Sequence, residues 1–169
     1  EGGTISGNTA KNGAGVMLQT RSVFNFKGGS IENNTASSSG GGIYVSSGAN
    51  VEVNNVILKA NYSDSSRHLF YVNGSTLTVN SGEFEVLRTS CRYFVLQNNA
   101  EAYVKGGTFE DMMAKDKTGP VDAQSGTTLE ISGGKFQVNV STRKFDPTPW
   151  LADGYKAERV GNYMEVSAE

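Results

Sequence analysis

Four charged side chains set the first chemical question. Glu83, Glu85, Glu110 and Lys135 sit at like positions in the runs SGEFEV, GGTFED and GGKFQV. Two residues apart on one strand, Glu83 and Glu85 would share a face with their Cα atoms about 7 Å apart. Glu110 falls one repeat beyond Glu85, about 4.8 Å away if the repeats stack as strands. Paired carboxylates at such separations suit glycoside hydrolysis, and carboxylates holding Ca²⁺ beside a Lys or Arg base would suit a polysaccharide lyase. The plainer reading is a solvated acidic strand face, partly neutralised by Lys135. It is the favoured one, because no aspartate-rich pair stands in the register and most corners are too short to wall a cleft. The calcium-binding nonapeptide GGxGxD is also absent.

Nucleophilic chemistry has little to work with. The chain has one cysteine, Cys91, and one histidine, His68. A reactive cysteine wants a histidine base beside it, but Cys91 reads as a small residue at a corner and His68 as a solvated side chain near a strand start. One Cys and one His do not make a metal site, no disulfide can form within the chain, and no cofactor is expected. The expectation is a protein that is not an enzyme.

A second surface is more informative. In the second strand of each repeat, the outward positions are expected to hold Met17, Tyr44, Phe70, Val95 and Asp122. Four successive apolar or aromatic residues break the alternation of a solvated strand. Met17, Tyr44, Phe70 and Val95 are therefore the candidate binding residues, either covered by another segment or forming a contact surface.

These positions exist only because the chain repeats. A small-small-x-apolar tetrad ends at Ile5, Ile31, Ile57, Phe84, Phe109 and Phe136, with spacings of 26, 26, 27, 25 and 27 residues. A steady period in this range marks a solenoid. Within each period a second run aligns Val16, Ile43, Leu69, Phe94 and Val121, then Leu18, Val45, Tyr71, Leu96 and Ala123. A third aligns Phe24, Val51, Leu77, Ala102 and Leu129, then Phe26, Val53, Val79, Val104 and Ile131. Each run alternates apolar with polar, the mark of a half-buried strand. Such strands are too short to stand alone, and stacking coil on coil buries their inward sides as ladders. The fold class expected is all-β, a right-handed parallel β-helix of about six coils of 25–27 residues, with three short strands per coil. The right hand follows from the crossover preference of parallel strands.

One domain spans 1–169, with coils over 1–144 and a C-terminal cap and terminal strand over 145–169. Trp150, Leu151 and Tyr155 are suited to lie over the last open core, and Met112 and Met113 to pack beneath a longer corner. The chain opens inside a repeat, so it is expected to be a piece of a longer protein. Asparagine and threonine recur between adjacent coils only at Asn8 with Asn34 and Thr9 with Thr35, too sparsely for an ice-binding array.

The cleanest copies also carry a resemblance. The tetrads Ile5-Ser6-Gly7-Asn8 and Ile31-Glu32-Asn33-Asn34 resemble the apolar-x-x-Asn motif of polymorphic outer-membrane-protein repeats, and Gly41-Gly42-Ile43 resembles their Gly-Gly-x-Ile motif. The Gly-Gly-Thr-Ile type of repeat is similar to those of right-handed parallel β-helix surface proteins of bacteria, many from the gut. The resemblance implies a secreted, surface-displayed, adhesin-like role at the extracellular or cell-surface side. The function expected is non-catalytic structural display, or binding of a glycan or of a host or surface protein. A polysaccharide lyase or hydrolase and a phage tail-spike section are the alternatives, and self-association through the second-strand stripe would favour the last. The net charge of −2 gives no broad basic surface for nucleic acid, and no apolar run is long enough for membrane insertion.

Overall fold

The computed structural model describes residues 2–63, 68–85, 92–110, 120–138 and 145–169. The chain is a parallel β-solenoid. Its first face stacks Thr4–Ser6, Ser30–Glu32, Val56–Lys59, Gly82–Glu85, Thr108–Glu110 and Gly134–Gln137 in parallel. Its second face stacks Val16–Leu18, Ile43–Ser46, His68–Asn73, Arg92–Gln97 and Val121–Ala123. Its third stacks Val23–Lys27, Asn50–Asn54, Thr76–Val79, Glu101–Val104 and Thr128–Ile131.

Two features differ from the sequence expectation. The solenoid makes about four turns rather than six. Five rungs on the second and third faces span four turns, and among the described residues the sixth copy supplies a first-face strand alone. The early coils also have four strands rather than three. Thr9–Asn12, Thr35–Ser39 and Tyr62–Ser63 form a short extra parallel sheet. Its residues are mostly small or polar, so they look like a corner in the sequence. Ala36 is nevertheless fully buried.

The register holds on the third face at every rung, where Phe24, Val51, Leu77, Ala102 and Leu129 align. In the third coil the other two faces are displaced by one residue. Ile31 aligns with Leu58, not Ile57, and Ile43 aligns with Phe70, not Leu69. Ile31 and Ile57 therefore lie on different faces, which corrects the tetrad assignment. The anchors are Ile5, Ile31, Leu58, Phe84, Phe109 and Phe136. The physical reason is at the corner. Val56 occupies the rung position held by Gly82 in the next coil and fills the core there, so the inward residue moves two places on, to Leu58.

The core is a set of continuous ladders. Rings stack along the axis from Phe84 to Phe109 at 4.6 Å and on to Phe136 at 4.8 Å, close to the strand spacing itself. The column continues through Phe145 to Trp150, whose rings stack at 5.8 Å and 13°. Trp150, Leu151 and Tyr155 are packed against the core at this end. Tyr163–Ala168 then pairs antiparallel with Gly134–Gln137, and Tyr155–Val160 pairs outside it. This covers the last first-face edge, which would otherwise invite pairing.

The tetrad glycines serve the corner. Gly107 has φ +106°, and a Cβ there would lie 2.7 Å from the Phe84 ring. A side chain would be strained in both respects.

Candidate functional site

The acidic surface on the first face is assembled as the repeat implies. Glu85 stands directly beside Glu110 on adjacent rungs, and Glu83 beside Thr108. The neutralising cation differs from the expectation. It is Lys59, whose Nζ lies 3.6 Å from Glu83 and 3.9 Å from Glu85. Lys135 instead pairs at 3.0 Å with Glu165 of the terminal strand. The Tyr163 hydroxyl donates to Glu110 Oε1 at 2.7 Å, and this bond, with burial, raises the Tyr163 pKa. Each carboxylate of the group thus has a structural partner. Solvated pairs of this kind contribute about 0–1 kcal/mol each. Beside them, two shallow troughs of about 500 and 480 Å³ run along the glycine corner and share Asn55, Gly82 and Glu83.

The second-face stripe is present with one correction. Phe70 is not part of it. Phe70 is fully buried and stacks on Phe94 at 5.4 Å, because the third coil is displaced by one residue. The outward residue is Tyr71, aligned with Tyr44 on one side and Val95 on the other. The stripe is Met17, Tyr44, Tyr71, Val95 and Asp122, one per rung.

Its exposure is graded. Met17 is 43% exposed, Tyr44 and Tyr71 are half-buried, and Val95 is only 2% exposed although it lies outside the core cluster. The Tyr44 and Tyr71 rings stack at 5.0 Å with an interplanar angle of 6°. Each ring spends one face on the other. The Tyr71 hydroxyl donates to Gln97 Oε1 at 2.5 Å. Burial, then the neighbouring Tyr44 and Asp122, push the Tyr71 pKa up. Arg92 Nη1 closes the stripe with a 2.9 Å ion pair to Asp122.

His68 is buried rather than solvated. Its ring tilts against Tyr71 at 5.4 Å, and in the ladder it aligns with Arg92. Burial, reinforced by the Arg92 charge, lowers its pKa to about 4. The unfolded chain, near pKa 6.5, therefore takes up the proton first as pH falls. Stability is expected to decline between about pH 6.5 and pH 4 by roughly 3 kcal/mol and to level off below. Urea unfolding of the protein and of His68→Gln across this range checks it: the variant should lose that part of the slope, and parallel curves would contradict it. Cys91, Met112 and Met113 lie outside the described residues.

Sequence reasoning missed one polar element. Asn8, Asn34 and Asn61 form a ladder, of which Asn34 and Asn61 are buried. Asn61 escaped notice because the third coil runs one residue late, and shifting that coil by one exposes the recurrence. Outside, Asn25, Asn54 and Asn80 make a second amide ladder with bonds of 2.8 Å. These arrangements stiffen corners and bring no reactive group to a shared point.

Comparison with known protein families, with curated proteins and with solved structures finds no match, so it is the coil geometry that defines this chain as a parallel β-solenoid.

Proposed function

We propose that this chain is a non-catalytic display module of an extracellular surface protein, which contacts a partner through the outer side of its second face. The Met17–Tyr44–Tyr71 stripe carries this reading. It places a thioether and two tyrosines on consecutive rungs of a stiff ladder, where solvated strands put polar groups. On the third face the matching outward positions hold Glu52, Thr78, Tyr103 and Glu130. Rigid aromatics lose little entropy on docking and are enriched where binding energy concentrates. Stacked on each other, the two rings each have one face already occupied, which suits a protein surface better than a sugar ring that would need both. The resemblance of the first two coils to bacterial surface repeats supports the extracellular placement. The ion pairs and hydrogen bond that hold Glu83, Glu85 and Glu110 favour display over glycoside cleavage.

The test is Tyr44→Ser combined with Tyr71→Ser, followed by unfolding, mass in solution, and retention on cultured epithelial cells and on a glycan array. Retention on cells is expected to fall at least about tenfold, with the fold intact and a stability loss of about 2–3 kcal/mol. Unchanged retention, or retention on glycans alone that survives the substitutions, would overturn the reading.

A further inference from the structure

The hairpin that covers the last coil brings an edge of its own. Tyr163–Ala168 lies between Gly134–Gln137 and Tyr155–Val160, so Tyr155–Val160 is the outermost strand of the first-face sheet. Among the described residues no strand pairs with its outer side. It runs six residues against Tyr163–Ala168 with no register shift, and it contains no proline. A regular strand edge of this kind is a template for pairing.

The main-chain groups on that edge follow from the hairpin. The Glu169 N–H donates to the Gly154 carbonyl at 3.0 Å, and bonded pairs alternate along an antiparallel ladder. Lys156, Glu158 and Val160 therefore turn their main-chain groups toward Tyr163–Ala168, while Tyr155, Ala157 and Arg159 turn theirs away. The Tyr155 N–H is taken by the Ala152 carbonyl at 3.2 Å. The side chains alternate too. Lys156 and Glu158 share the exposed side, paired at 2.9 Å, and Tyr155 and Ala157 pack against the core.

We propose that Tyr155–Val160 is a homodimer interface, in which two copies of this chain pair edge to edge and antiparallel about a twofold axis at Ala157. A twofold axis through a strand pair sets one residue opposite its own copy. At Lys156, Glu158 or Arg159 that would put like charges face to face, which is destabilising. At Ala157 the two alanines exchange N–H and carbonyl bonds, and each Arg159 N–H donates to the partner's Tyr155 carbonyl. Lys156 then stands opposite the partner's Glu158, and Glu158 opposite the partner's Lys156. Tyr155 stands opposite the partner's Arg159, a ring and a guanidinium that attract. Charges that blunt the edge against other strands thus fit a second copy in one register. The two solenoids run tail to tail with their first faces joined in one sheet, and the pairing does not depend on what the second-face stripe binds.

Sedimentation equilibrium of the full chain tests this. Its mass is expected to rise from one chain to two between about 1 μM and 1 mM, as suits a small transient interface. Lys156→Glu and Glu158→Lys should each weaken the dimer at least about tenfold. An equal mixture of the two variants should restore it, because every facing pair is then opposite in sign. Ala157→Pro should abolish the dimer and leave the unfolding midpoint unchanged, since the N–H it removes faces away from the hairpin. A chain that stays single throughout the range, a dimer indifferent to both charge variants, or a mixture no tighter than either variant alone overturns the proposal. So does a dimer that Tyr44→Ser with Tyr71→Ser dissociates. Slow amide exchange at Ala157 and Arg159 in the dilute chain also overturns it, because another segment would then cover the edge.

Discussion

Asn34→Asp is expected to destabilise the protein by about 3–5 kcal/mol at neutral pH, the range for an uncompensated buried charge. The substitution keeps the side chain's shape and exchanges one N–H donor group for an oxygen. That group donates to the Ile5 carbonyl at 3.0 Å and to Asn61 Oδ1 at 2.9 Å. A carboxylate would set two acceptors against it in a position with no exposed surface. The other oxygen would still accept from the Asn8 backbone N–H and side-chain amide, which does not offset the loss. Burial would raise the new carboxyl's pKa, so the deficit should shrink as pH falls and the group protonates. Asn34→Ala is expected to cost less, about 2–4 kcal/mol, for four hydrogen bonds at about 0.5–1.5 kcal/mol each with partial replacement by water. Chemical unfolding at pH 7 and pH 5 measures both. A neutral effect of Asn34→Asp at pH 7 would mean that the asparagine ladder does not hold the corner.

How much of this was legible in the sequence varies by coil. Where one apolar residue alternates with polar ones, as in NVEV and TLTV, the pattern has one solution, and Val51, Val53, Leu77 and Val79 point inward as read. Where apolar residues run together, as in VIL and HLFYV, two registers fit equally well. The corner decides between them: Val56 takes a glycine's place and the strand begins one residue later. The same shift moved Phe70 into the core, put Tyr71 on the surface, and hid the third rung of the asparagine ladder. His68 was misread for a related reason, since burial of a polar residue at a strand start depends on neighbours that only the coil geometry brings close. The short extra sheet left almost no signal, because Thr, Ala and Ser runs fit corners as well as strands. The stripe was legible as a surface, but which of its members are covered was not, because the alternation of a strand says which side a residue faces and not how far that side is exposed.

The central claim is the register of the third coil, since it decides both which ladder holds the core and which tyrosine stands beside Tyr44. Unfolding midpoints of Phe70→Ala and Tyr71→Ala, measured side by side, test it most directly. Phe70 fills the core between Phe84 and Phe94, so its truncation is expected to cost about 3–5 kcal/mol through lost burial and a cavity. Tyr71 is half-buried, stacks on Tyr44, tilts against His68 and donates to Gln97, so its truncation should cost about 1–2 kcal/mol. A large loss for Phe70→Ala with a small one for Tyr71→Ala is the result this geometry requires. Equal losses, or the reverse order, would contradict it and take the Tyr44–Tyr71 surface with it.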